Sequence, residues 1–303
     1  MSDPAIRAEN PAPEPIGAGP SAYPPAMSAA TAPPSRAGRN LGQAIAVGVA
    51  LAALVLGTLA IEKDWFGYVI AAAMAVGAWE MRQALAHRDI HIPLVPVALG
   101  SVLMILGAQA QGAESLVIAF GLTALAIVAW RLLDGVQGAA ADCAGGILVA
   151  LYPGFLGGFA AMMLAETDGL ARTVVFILTT VCSDIGGYAA GVRFGRHPMA
   201  PRLSPKKSWE GFAGSVGACA IAGGASVALL LHGSWIGGAG LGVLVACCAT
   251  VGDLMESSIK RDLGIKDMSN LLPGHGGLMD RLDSLVMTAP VCWALLLLLA
   301  PVS

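Results

Sequence analysis

The chain has 303 residues, of which 56% are hydrophobic and 12% charged, with a formal net charge of −3 and a mean hydropathy of +0.72. Such a composition excludes an ordinary soluble globular domain and points to an all-α, polytopic membrane protein. The net charge itself is uninformative, and no nucleic-acid partner is expected.

Residues 1–40 are rich in Pro, Ala, Ser and Gly and show no hydrophobic periodicity, so they read as a disordered tail on the cytoplasmic side. The first apolar run begins near residue 43 and is long enough to span, so it is expected to stay as a membrane helix rather than act as a cleaved signal. Apolar stretches follow at 43–61, 66–85, 92–110, 114–133, 145–165, 171–190, 212–232, 235–252 and 284–301, each close to the roughly 20 residues a helix needs to cross hydrocarbon. The expectation is therefore about nine transmembrane helices, divided into an N-terminal set (41–140) and a C-terminal domain (141–303) that holds the charged segments described next. Placing the amino terminus inside puts 15 of the 17 Lys and Arg residues on the cytoplasmic side, leaving Lys63 and Arg172 outside. A multi-pass protein of the cell's inner (plasma) membrane follows. The six cysteines include no CxxC pair and read as reduced packing residues.

Two charged segments break the apolar pattern. The first runs from Ser183 to Gly211 and begins with Asp184 inside an apolar helix, where an ionisable group is costly and points to function or to a bond with a neighbouring helix. It continues into Ser204-Pro205-Lys206-Lys207-Ser208-Trp209-Glu210-Gly211, which opens the next helix. Hydroxyls, two ammonium groups and free amides at a helix start suit phosphate, and Glu210 suits capping or orienting a lysine. A lysine pair that merely anchors the helix at the membrane surface is the other reading.

The second segment, Asp253 to Asp283, holds ten charged side chains, six acidic and four basic. Glu256, Ser257 and Lys260 follow Asp253 by three, four and seven residues and share its helix face. Pro273-Gly274-His275-Gly276-Gly277 then allows close backbone approach to a ligand. Asp280 and Asp283, three residues apart, point one way and supply the hard oxygens that Mg²⁺ takes. His275 suits a metal ligand, a base or a phosphate donor, and the remaining histidines are too scattered for zinc.

The run Ser257-Ser258-Ile259-Lys260-Arg261, Lys266-Asp267, Ser269, Leu272-Pro273, His275-Gly276-Gly277 and Asp280-Arg281-Leu282-Asp283 resembles the signature of bacterial phosphatidate cytidylyltransferases, or CDP-diacylglycerol synthases. The stretch from Asp184 to Gly211 is similar to that family's second hallmark, with Ser208 standing where Thr is more usual. The resemblance covers roughly 145–301, and the first four helices match only in being hydrophobic. It implies a nucleotidyltransferase of phospholipid biosynthesis that condenses CTP with phosphatidate in a Mg²⁺-dependent reaction, with a second cation such as K⁺ and a homodimer also admitted. The same resemblance implies Asp253, Asp280 and Asp283 as metal ligands, with Lys260, Arg261 and His275 completing the catalytic set. Ser204, Lys206, Lys207, Ser208, Glu210, Gly276, Gly277, Arg281 and Asp184 are the expected substrate-binding residues. Two other readings stand beside it: CTP-dependent transfer to, or phosphorylation of, another lipid, and ion-coupled transport. The concentration of charge in the carboxyl-terminal half and the lack of an inverted repeat speak against transport.

Overall fold

A computed structural model describes residues 41–135, 137–272 and 276–300. The expected tail and the Pro273-Gly274-His275 turn lie outside the described residues.

The described chain is a bundle of α-helices: α1 (Leu41–Ile61), α2 (Lys63–Ala86), α3 (Leu94–Gln111), α4 (Ala113–Leu133), α5 (Ala139–Val149), α6 (Leu156–Ala165), α7 (Gly169–Phe194), α8 (Trp209–Leu230), α9 (Trp235–Asp262) and α10 (Met279–Leu299). A π-helical segment, Ala150–Phe155, joins α5 to α6, so Ala139–Ala165 runs as one rod and the bundle has nine rods among the described residues. Seven of them are long and apolar enough to cross a membrane. Of the other two, α1 has a shorter apolar run, Ala46–Ile61, and α2 carries Lys63, Asp64, Glu80 and Arg82 within its 24 residues. The protein is a multi-pass membrane protein.

The helices differ from the sequence expectation chiefly at their charged ends. α9 continues ten residues past the expected end at 252, because Asp253 to Asp262 keeps helical spacing after the apolar run stops. α10 begins at Met279 rather than 284, and α5 starts at Ala139 rather than 145. The segment between α7 and α8 also folds, into an antiparallel ribbon of β1 (Pro198–Ala200) and β2 (Ser204–Ser208) that pairs Pro198 with Ser208.

Small residues set the spacing of the carboxyl-terminal helices. A Cβ on Gly186 would lie 2.5 Å from Ala218 Cβ, and one on Gly187 would lie 2.5 Å from Ser215 Oγ, so α7 and α8 touch nearly backbone to backbone. Ser215 Oγ uses that proximity to donate to the Ser183 carbonyl at 2.7 Å. One buried cluster joins α2, α3 and α10 around Met74, Met104 and Met279, and a second joins α7, α9 and α10 around Val175, Val245 and Ala289.

Ion pairs and carbonyl contacts fasten the two ends. At one end Arg131 Nε meets Asp142 Oδ2 at 2.7 Å with both residues buried, and Asp142 Oδ1 accepts from the His91 amide at 2.7 Å. At the other, Lys63 Nζ donates to the Glu166 carbonyl at 2.6 Å, and Arg172 pairs with Asp168 at 2.5 Å and reaches the Ala300 carbonyl.

Candidate active site

The two charged segments meet at one end of the bundle. Lys207, the second lysine of β2, forms an ion pair with Asp253 on α9. Beside the pair opens a cleft of ≈ 280 Å³ lined by Asp184, Tyr188, Lys206, Lys207, Ser208 and Asp253, among others. Three features hold β2 there. The Trp209 amide donates to the His197 carbonyl at 3.0 Å; Ser208 Oγ caps α8 by accepting from the Gly211 amide at 3.1 Å. The third is Glu210, whose Oε1 meets His197 Nδ1 at 2.5 Å while Oε2 accepts from the Arg196 and His197 amides at 3.1 and 3.2 Å. Glu210 thus fastens the ribbon to the start of α8.

Carboxylates continue from the cleft along α9 into α10. Asp283 neighbours Asp253 and Glu256, and Tyr152, on the π-helical segment, lies near all three. The Tyr152 hydroxyl and Glu256 Oε1 are buried without a hydrogen-bond partner among the described residues. Holding three acidic side chains this close together, two of them buried, requires protons or cations among them.

Lys260 stands beside Glu256, with its Nζ 3.5 Å from Glu256 Oε1 and 2.7 Å from Asp280 Oδ1. Asp280 is heavily engaged. Its Oδ2 accepts from the Met268 and Gly277 amides at 2.9 and 2.7 Å, which pins the loop between α9 and α10 to the start of α10. Gly276 adopts a φ of +82°, a left-handed value that favours glycine, and its carbonyl accepts from the Leu272 amide at 2.8 Å. A Cβ on Gly277 would stand 3.0 Å from the carboxylates of both Asp280 and Glu80, so the two glycines are explained by packing against acids.

Glu80 escaped the sequence reading. It lies on α2, is fully buried, and accepts from Ser269 Oγ at 2.5 Å and from the Leu278 and Met279 amides at 2.8 and 2.7 Å. A carboxylate at the first turn of α10 satisfies amides that the helix cannot and suits its positive end. Glu80 therefore ties the amino-terminal helices to the charged segment. The available signal was an acid inside the expected span 66–85, two residues before Arg82. Tyr152 was hidden in the same way, its position set by a π-helical turn around Pro153, a feature that recurs at functional sites.

Of the expected residues, Asp184, Lys206, Lys207, Ser208 and Asp253 line the cleft, while Asp283, Lys260 and Asp280 form the adjoining charged network. Ser204 opens β2 away from the cleft lining, and Arg261 is exposed near the end of α9. Arg281 lines a separate, apolar groove. His275 lies outside the described residues.

The profile of the Cytidylyltransferase family matches residues 42–299. A protein of Mycobacterium leprae named phosphatidate cytidylyltransferase is 37% identical over 292 residues, covering 90% of this chain and 93% of its own. Proteins of the same name from Mycobacterium bovis (39% identity, 88% of this chain and 91% of that one) and Pseudomonas aeruginosa (34%, 84% and 97%) are similar over almost their whole length. With its fold, its paired charged segments and this full-length likeness in agreement, the chain belongs to the cytidylyltransferase family.

Proposed function

We propose that the protein is a phosphatidate cytidylyltransferase of the inner membrane that condenses CTP with phosphatidate to CDP-diacylglycerol and pyrophosphate. The observation that carries this reading is the Lys207–Asp253 pair, which brings a phosphate-type lysine ribbon and a row of carboxylates to one cleft at one end of the bundle. That end holds most of the Lys and Arg residues, and we assign it to the cytoplasm, where CTP is available.

A phosphatidate oxygen attacks the α-phosphorus of CTP, a new P–O bond forms, and the bond to the β-phosphate oxygen breaks as pyrophosphate leaves. The lipid phosphate is already ionised near neutral pH, so no base is needed for this step, and catalysis rests on positioning and on neutralising charge. Lys206 and Lys207, flexible ammonium donors on the ribbon, hold phosphates at the cleft, with Ser208 keeping α8 and its amides in place. Lys260 stands ready on the far side of the carboxylates to take up charge developing on the pyrophosphate.

The donor set suits Mg²⁺. Asp253, Asp280 and Asp283 offer hard oxygens, and Glu256 Oε1 is a buried carboxylate oxygen without a hydrogen bond. Among the described residues no three His, Cys, Asp or Glu side chains form a complete ligand set, so these acids supply one or two ligands each time and leave the rest to water and substrate phosphate. When bound, Mg²⁺ would supply charge neutralisation on the triphosphate and orientation of its α-phosphorus.

The test is transfer of label from [α-³²P]CTP by detergent-purified protein, offered phosphatidate, diacylglycerol or another lipid phosphate in turn, with and without EDTA. CDP-diacylglycerol from phosphatidate alone, lost with EDTA and restored by Mg²⁺, is the expected result. Product from a different acceptor only, or transfer indifferent to EDTA, overturns the assignment.

A further inference from the structure

Among the described residues, the Tyr152 hydroxyl, Glu256 Oε1 and Thr173 Oγ1 are buried with no hydrogen-bond partner. Thr173 sits on α7 beside Arg172, at the end of the bundle away from the charged segments. The other two belong to the charged network. Leaving a buried hydroxyl unpaired is costly, and Tyr152, only 1% exposed, bears that cost inside a second irregularity, the π-helical segment Ala150–Phe155. Such turns are rare and recur at functional sites.

The packing fixes where this turn lies. A Cβ on Gly77 of α2 would stand 3.6 Å from Pro153 Cβ and 3.2 Å from Met279 Sδ, so the π turn sits against α2 beside the first residue of α10, one helical turn from Glu80. Asp253, Glu256 and Asp283 are the acids near the Tyr152 hydroxyl. Tyr152 does not line the cleft, which sets it behind the carboxylates rather than among the groups that face a substrate. Mg²⁺ held by one or two carboxylates keeps several waters, and those waters need partners of their own. A hydroxyl accepts from such a water and donates to a carboxylate without bringing a charge that competes with the cation.

We propose that Tyr152 is a positioning residue of the cation site, its hydroxyl bonded to a water that the cation holds and thereby orienting the carboxylates of α9 and α10 around it. The proposal rests on the Mg²⁺ reading above. It accounts for the unpaired hydroxyl and for the π turn together: the partner arrives with the cation, and the turn aims the ring at the acids.

Tyr152→Phe keeps the ring and removes the hydroxyl. Mn²⁺ binding to the detergent-purified, metal-free protein, followed by electron paramagnetic resonance with neither CTP nor lipid present, should weaken about 10- to 100-fold, the effect of losing a hydrogen bond that orients a metal's ligands. The Mg²⁺ concentration giving half-maximal transfer should rise by the same factor, while kcat at saturating Mg²⁺ stays within about threefold of wild type. Thr173→Val, which removes the unpaired hydroxyl at the other end, should leave both unchanged. Without cation, Tyr152→Phe should melt at or above the wild-type midpoint, because no partner within the protein is lost. Wild-type Mn²⁺ affinity in Tyr152→Phe overturns the proposal, as does a wild-type protein that binds no Mn²⁺. A fall in kcat that Mg²⁺ does not repair would put the hydroxyl on the substrate and overturns it too. So does a cation-free variant that melts well below wild type or fails to fold, since its hydroxyl would then have had a partner in the fold. Mn²⁺ binding that depends on Tyr152 in a protein that transfers no cytidylyl group to phosphatidate would overturn the proposed reaction and leave the cation site standing.

Discussion

Glu80 on α2 accepts a hydrogen bond from the amide of Met279, the first residue of α10, at 2.7 Å. The bond spans 199 residues of sequence and joins a helix without a recognisable motif to the densest charge cluster of the chain. Leu278 and Ser269 share the same carboxylate, so one buried acid sets both the start of α10 and the loop that precedes it.

Replacing Glu80 by Ala leaves one buried amide, one half-buried amide and a hydroxyl without that acceptor. Each charged hydrogen bond lost leaves a deficit of roughly 1.5–3 kcal/mol, and the start of α10 carries Asp280 and Asp283. Glu80→Ala should lower kcat at least about tenfold and lower the thermal midpoint in detergent, while Glu80→Gln, which keeps one carbonyl oxygen, should retain more of both. A Glu80→Ala enzyme with wild-type turnover would remove it from the site's architecture.

Asp253 and Asp280 differ in what surrounds them, and their amides should fail differently. Asp253→Asn removes the partner of Lys207 and a carboxylate that opens on the cleft. Asp280→Asn turns one acceptor into a donor where Lys260 and two amides already donate, so it disturbs the loop as well. Both should cost about a hundredfold in turnover. Raising Mg²⁺ should recover part of the activity of Asp253→Asn and little of Asp280→Asn. Either variant keeping more than a tenth of wild-type activity would contradict its assignment to the metal.

The membrane spans and the paired charged segments were legible in the sequence because both rest on composition over many residues: runs of Leu, Val, Ala and Gly, and charges in an oily chain. The helix ends were less so. An apolar run stops where the hydrocarbon stops, but α9 continues through Asp253-Leu254-Met255-Glu256, since nothing in that stretch breaks a helix. The ribbon at 198–208 was missed because its strands are three and five residues long and carry Lys, Pro and Ser rather than a β pattern. Glu80 and Tyr152 were invisible for another reason. Neither belongs to a local motif, and only tertiary packing shows that Glu80 faces the α10 amides and that Tyr152 lies near three acids.

Arg131 and Asp142 make a stability prediction separate from catalysis. Their pair is buried at the charged end, and Asp142 also holds the His91 amide. Arg131→Leu leaves a buried carboxylate with one amide donor and should cost about 3–5 kcal/mol, seen as a lower melting midpoint in detergent. Substituting Leu at both positions should recover part of the loss. At a temperature where the variant is folded, its KM for CTP should match wild type, because neither residue lines the cleft. A raised KM at unchanged stability would place the pair in the substrate path.

The Lys207–Asp253 pair gives the most direct test that the two charged segments form one site. A lysine contact to phosphate contributes roughly 1.5–3 kcal/mol, so Lys207→Ala should lower kcat/KM roughly ten- to hundredfold. Arg202→Ala is the control: it is exposed in the turn of the same ribbon and does not line the cleft. If Lys207 and Asp253 act on the same phosphates and cation, the losses will not add. Lys207→Ala in an Asp253→Ala background should then cost much less than it does alone, giving a coupling of 0.5–3 kcal/mol, roughly the range for residues in contact. Additive losses, or Lys207→Ala behaving like Arg202→Ala, would mean that the ion pair joins two segments that do not share a substrate.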